Sequence, residues 1–217
     1  MKLIEQNHEI IFLSENSLQL IELAGRTCYK SENRITENSA EKFVTMLRDR
    51  KHHAMLEFGI MIVRFITNRG VTHELARHRI CSLAQESTRY CNYGNKEMEF
   101  IKPIWLDEKC SGICNNIGCA AYSVEQYLCR DFLNACNNAE LAYNNLLKNG
   151  WTPQQAREVL PNSLKTEIVI QANMREWRHI FTLRCGKEAH PQMRALMISL
   201  LEEVKTKIPV LFDDIMY

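Results

Sequence analysis

The chain has 217 residues, a formal net charge of +1, and 46% hydrophobic and 24% charged residues. That length supports one domain with a substantial core. The near-neutral balance supplies no global field for DNA or an anionic membrane, so any anion site must be local. The opening segment MKLIEQNHEIIF carries no apolar signal-peptide region, and the most apolar run, FGIMIVRFI, is shorter than a membrane span and contains Arg64. A cytoplasmic protein that engages neither nucleic acid nor membrane is expected. Nine cysteines, an odd number in a chain of this size, point to reduced thiols, and Cys110, Cys114 and Cys119 in CSGICNNIGC lack structural-zinc spacing.

In chain order, SLQLIELAGRTC (17–28) reads as a helix opened by Ser17, and SAEKFVTMLRDR (39–50) as another, with Phe43, Met46 and Leu47 on one face. The β-branched run EFGIMIVRFIT (57–67) reads as a buried strand, and residues 70–77 as a helix ending at the triplet Arg77-His78-Arg79. The segment 104–120 is polar and irregular. A long helix follows over about 121–149, with a stripe of Val124, Leu128, Phe132, Ala135, Ala139, Ala142 and Leu146, closed by Gly150. Thr152, Pro153 and Gln155 form a capping-box start, and Pro161 ends that helix. KTEIVIQA (165–172) reads as a strand. NMREWRHIFTLR reads as a helix capped by Asn173, and the segment from His190 as a last amphipathic helix with Pro191 in its first turn. Few strands among many helices argue for an α/β (α+β) single domain, a small central sheet flanked by helices.

HELARH resembles a zinc-protease motif, but His73 and His78 are five residues apart and point about 140° apart on a helix. No glycine loop for a dinucleotide or phosphate is present, nor a G-x-S-x-G nucleophile turn. A bound nucleotide must therefore be held by arginines. RHRICSLAQESTRY (77–90) concentrates Arg77, Arg79 and Arg89 with Gln85, Ser87 and Thr88, and guanidinium forks fit phosphate bidentately. A second cluster holds Asn173, Arg175, His179 and Arg184, with Arg175 and His179 on one helical face; Trp177 and Arg178 point elsewhere. Arg157 adds a third. Ser87 has no paired base nearby and reads as a ligand-positioning hydroxyl.

These residues resemble the flavin-dependent thymidylate synthases. The family signature, RHR, seven residues and then serine, is met by Arg77-His78-Arg79 and Ser87. HHAMLEF, AREVLP and the late N-x-R…R segment follow the family order, so the resemblance runs from about residue 25 to Arg184. It implies conversion of dUMP to dTMP, with 5,10-methylenetetrahydrofolate as carbon donor and NADPH-reduced FAD as hydride source. It also implies a homotetramer with FAD and nucleotide sites at subunit interfaces. By the resemblance, FAD is held by Ala54, Arg77, His78, Arg79, Gln85, Asn173, Arg175 and His179. Glu74, Leu75, Ala76, Arg77, Gln85, Glu86, Ser87, Thr88, Arg89, Arg157 and Arg184 hold dUMP. Arg184 is the catalytic residue, facing the uracil and favouring its ionised N3 form, and no metal is implied.

Four positions depart from the family pattern: Ala54 and Cys28 stand where hydroxyl residues occur, His179 where asparagine is common, and Gln85 where glutamate is common. The chain has no Pro-Cys pair of the cysteine-dependent synthases. Two other classes compete. An RNA- or nucleotide-binding protein would use the same arginines, but such domains are usually plainly basic. A metal-dependent hydrolase would use the histidines and cysteines, whose spacing disfavours it.

Overall fold

The computed structural model describes residues 1–94, 96–106 and 124–217, with side chains in the last stretch from residue 129. The chain falls into two compact units. One comprises Met1–Gln6, Ile66–His73 and Gln85–Glu167; the other comprises Asn7–Phe65, Glu74–Ala84 and Ile168–Tyr217. The strands among the described residues are β1 (Lys2–Ile4), β2 (Asn7–Leu13), β3 (Ile60–Asn68), β4 (Ser82–Gln85), β5 (Glu99–Ile101) and β6 (Lys165–Asn173). The helices are α1 (Ser17–Tyr29), α2 (Ser39–Asp49), α3 (Arg69–Leu75), α4 (Val124–Lys148), α5 (Pro153–Ala156), α6 (Met174–Arg184), α7 (Pro191–Lys207) and α8 (Pro209–Phe212). Four strands form a sheet in the order β2-β3-β6-β4, and β1 pairs in parallel with β5, Leu3 opposite Phe100. The mixed helix-and-sheet class expected from the sequence is what is observed.

β3 is a strand because its β-branched run extends the backbone, and alternate residues, Met61, Val63, Phe65 and Thr67, point into fully buried positions. In the second unit Trp177 of α6 is fully buried. Its indole N–H donates to the Met61 carbonyl at 3.0 Å, and its ring lies 5.7 Å from Phe181, which meets Phe212 edge-on. This aromatic column anchors α6, and α6 carries Arg175, His179 and Arg184 of the expected site.

In the first unit a smaller core gathers Met98, Phe100, Cys136, Tyr143, Ala156 and Leu164. The buried face of α4 is Cys129, Leu133, Cys136 and Tyr143, one residue round from the expected stripe; Ala135 is exposed, while Phe132 and Leu146 only flank the core. The physical reason is area. The Tyr143 ring buries far more apolar surface than the alanines of the competing face. The first turn of the expected helix, residues 121–123, and the segment 107–120 lie outside the described residues. Gly150 takes φ +90°, and the N–H groups of Gly150 and Trp151 bond the Leu147 and Leu146 carbonyls, so it closes α4 as expected.

α1 begins at Ser17, as expected, and Asn16 at its N-cap position makes no side-chain cap bond. The Ser17 hydroxyl instead donates to the Ser14 carbonyl at 2.6 Å. The expected helix over 70–77 is shorter, since α3 ends at Leu75 and Arg77 and His78 turn back through N–H bonds to the Glu74 and Leu75 carbonyls. Cys28, Cys81, Cys91, Cys136 and Cys185 are free thiols, in line with the expectation of reduced cysteines at those five positions. Among the described residues no helix is long and apolar enough to cross a membrane.

Candidate active site

In the second unit, the turn after α3 and the outer face of α6 border one cavity of about 840 Å³. Its wall includes Arg77, His78, Arg79, Asn173, Arg175, His179 and Arg184 from the expected set, with His53, Glu57, Glu176 and Arg178 added. α6 is placed by its cap: the Asn173 side-chain oxygen accepts the Glu176 N–H at 2.8 Å, as its sequence position implied. That bond occupies the oxygen and leaves the Asn173 amide N–H₂ for a ligand.

Arg184, in the last turn of α6, is held on three sides. Its Nε donates to His78 Nε2 at 2.9 Å, one terminal nitrogen to the Glu74 carboxylate at 3.0 Å, and the other to the Glu74 carbonyl at 2.9 Å. A guanidinium can only donate, so His78 Nε2 must be an acceptor. The imidazole is therefore neutral, with its proton on Nδ1, which lies 3.5 Å from the Glu176 carboxylate. Its titration agrees. Burial, and then the Arg184 and His179 charges, lower the His78 pKa to about 4. Burial raises the Glu176 carboxyl, against the pull of His179 and Arg175. The His78 and His179 rings meet edge-on with centroids 5.8 Å apart.

His78, Glu176 and His179 could converge on a metal ion by distance alone. Chemistry opposes it: His78 Nε2 is already engaged by Arg184, and the surrounding guanidiniums repel a cation. Arg175 reaches Glu57 at 2.7 Å across an exposed face. Trp177 is buried and serves structure, as expected, whereas Arg178, expected to point elsewhere, lines the cavity while forming a two-pronged pair with Asp214. Ala54 is exposed on the 3₁₀ turn His53–Phe58 and does not line the cavity. The Leu75 side chain is fully buried, leaving its backbone to a ligand, while Ala76 is exposed.

The remaining expected residues belong to the first unit. Gln85 donates from its amide to Thr72 at 2.9 Å and Thr166 at 3.3 Å. Glu86 accepts from the Tyr93 hydroxyl at 2.9 Å and pairs with Lys165 at 3.4 Å. Burial and the Glu86 carboxylate push the Tyr93 phenol up, so it stays a proton donor. Burial alone would lower Lys165, but Glu167 and Glu86 outweigh it and keep it charged. The Ser87 hydroxyl accepts the Arg89 N–H at 3.3 Å, and among the described residues no side-chain base bonds it. Thr88 is buried, and Arg89 is steadied by Gln154 at 2.9 Å. Arg157 sits half exposed, 3.4 Å from Glu158.

Glu176, Glu57 and His53 were not among the sequence candidates. The signal for Glu176 was its place three residues before His179 on one helix face, where it reads first as a capping partner.

The fold and cavity define an α+β protein with an arginine-lined pocket suited to a phosphorylated, planar ligand. A family model described as thymidylate synthase complementing protein matches residues 9–210. The chain is 32% identical over 200 residues to a flavin-dependent thymidylate synthase of Corynebacterium efficiens, covering 90% of this chain and 78% of that one. It is 29% identical over 205 residues to the enzyme of that name in Geobacter sulfurreducens, covering 89% and 80%. Its fold is shared with a UMP/dUMP methylase, PolB of Streptomyces cacaoi, solved with 5-Br dUMP, at a TM-score of 0.79 and 22% identity over 98% and 96% of the chains. The chain belongs to the flavin-dependent thymidylate synthase family.

Proposed function

We propose that this chain methylates dUMP reductively to dTMP as a single catalytic domain, with 5,10-methylenetetrahydrofolate as carbon donor and NADPH-reduced FAD as hydride source. The observation that carries the reading is the cavity in which Arg77, Arg79, Arg175 and Arg184 meet, in a chain of the flavin-dependent family.

The donors present fit a flavin dinucleotide. Arg77 and Arg79 are exposed and unpaired among the described residues, so their forks are available to a pyrophosphate. The Asn173 amide and the His179 ring offer hydrogen bonds to the edge of a planar ring system. When bound, FAD supplies the hydride taken from NADPH. The chain's own part is electrostatic. Arg184 has five N–H donors and uses three within the protein, leaving two for a uracil whose N3 and carbonyls gain negative charge. Glu74 and His78 fix its plane, so little reorganisation accompanies the reaction.

Gln85, Glu86, Ser87, Thr88, Arg89 and Arg157, with Glu74 to Arg77, form the dUMP set in this proposal. The assembly is a cytoplasmic homotetramer whose sites draw on several chains, a reading supported by apolar side chains exposed on β2 and α1. The test is an absorption spectrum of the purified protein, then a dTMP assay with all substrates. A flavin spectrum that bleaches with NADPH, together with dTMP formation, is expected. A folded protein that binds neither FAD nor dUMP overturns the reading.

A further inference from the structure

A second cavity, of about 530 Å³, opens between the C-terminal end of α1 and α2 within the second unit. Its wall carries four cations, Arg26, Lys30, Arg34 and Arg50, the rings of Tyr29 and Phe43, and, among the described residues, no acidic one. Basic residues at a helix C-terminus commonly only offset the helix dipole. Here one of them is built in. Arg26 is 8% exposed, and its Nε donates at 2.7 Å to Glu22, a carboxylate 1% exposed. The other Glu22 oxygen accepts the Ser39 hydroxyl at 3.0 Å, so that carboxylate is fully used. The Arg26 guanidinium lies 4.4 Å over the Phe43 ring. Phe43 comes this close because residue 25 is glycine: a Cβ there would stand 2.6 Å from the ring.

Nε is thus anchored and the plane is set, while the terminal nitrogens of Arg26 have no partner among the described residues. Arg34 and Arg50 are exposed and likewise unpaired there, and the neighbouring Asp49 is taken by Arg48 at 2.9 Å. A fixed fork with two mobile ones around it is the arrangement that suits a phosphate. Tyr29, 55% exposed, offers a flat apolar face beside it. The two cavities flank one short segment. Arg50 lines the second and His53 the first, and Tyr29 bonds His52 Nδ1 at 3.0 Å.

We propose that the second cavity binds a phosphomonoester carried by a nucleotide, with the phosphate between Arg26, Arg34 and Arg50 and the base against Tyr29. The choice of nucleotide rests on the proposed function, which supplies two sources of that chemistry. The 2′-phosphate of NADPH is the first, and the phosphate of a thymidine nucleotide product is the second.

The test is calorimetric titration of the full chain with adenosine 2′,5′-bisphosphate and, separately, with dTMP. Arg34→Ala and Arg50→Ala are the variants, both at exposed positions, and Arg175→Ala in the first cavity is the control. Adenosine 2′,5′-bisphosphate should bind, weaken about tenfold in either variant, and be unaffected in the control. In turnover, the NADPH KM should rise by a similar factor in those variants while the NADH KM stays put. If the two variants weaken dTMP instead, the site stands and its ligand is the product. If wild type binds neither probe, or neither probe weakens in Arg34→Ala and Arg50→Ala, the proposal is overturned. Binding of FAD and dUMP is measured on the same samples. Their failure would remove the proposed function while leaving the phosphate titration to be read by itself.

Discussion

Three hydrogen bonds to Glu74 and His78 hold Arg184 in place, and the role proposed for it beside a developing anion rests on that fixed position. Removing a preorganised donor of this kind costs about 10²–10³ in turnover. Arg184→Ala should therefore fold, shown by an unchanged circular dichroism spectrum, and lose dTMP formation by that order. Arg184→Lys should recover little, since an ammonium cannot span the same three acceptors. Turnover unchanged in both variants would remove the assigned role. His78 makes a pH prediction. Its unfolded pKa is about 6.5, and burial first, then Arg184 and His179, lower it to about 4 in the folded chain. Between those values the unfolded chain takes up the proton and the folded chain does not. The stability is therefore whole above about pH 6.5 and lost as pH falls towards 4. At about 1.4 kcal/mol per unit the loss is on the order of 3 kcal/mol. In His78→Gln, which can still accept from Arg184 and donate to Glu176, urea midpoints should lose that slope. The arginines were legible in the sequence because so much positive charge stood out in a neutral chain. Glu176 was not, because its value depends on facing His78, a residue 98 positions earlier.

At the scale of elements, the cap of α6 serves fold and site together. Asn173→Ala should cost about 1 kcal/mol in urea unfolding. Asn173→Asp should keep that stability, since a carboxylate caps as well, yet bind FAD more weakly because the amide N–H₂ is gone. Flavin affinity unchanged in Asn173→Asp would limit the residue to capping. Elements with strong local chemistry were readable: α5 with Thr152 and Gln155, α7 with Pro191, and β3 and β6 with their β-branched runs. Short strands were not. β1, β4 and β5 have three or four residues each, too few for a period to show, and β1 exists through its pairing with β5. The face of α4 was misjudged by one residue because two stripes of equal period competed. The choice fell to the size of Tyr143, which periodicity does not weigh.

For the whole molecule, β2 is an edge strand among the described residues, with Ile11 51% and Phe12 47% exposed, and α1 presents Leu20 and Leu23 outward. Such side chains on an uncapped edge ask to be covered. The proposed tetramer predicts a sedimentation mass near four times 25.3 kDa. It also predicts that Phe12→Glu lowers that mass and, with it, flavin retention. A variant that stays tetrameric would place the contact elsewhere. The same strand bears on how the protein is made. If the chain assembles as proposed, each new copy carries Ile11 and Phe12 uncovered until it meets its sisters, and an open strand edge pairs with whatever edge arrives first. Recovery after refolding should therefore pass through an optimum: too dilute and the copies never find one another, too concentrated and they join in the wrong register.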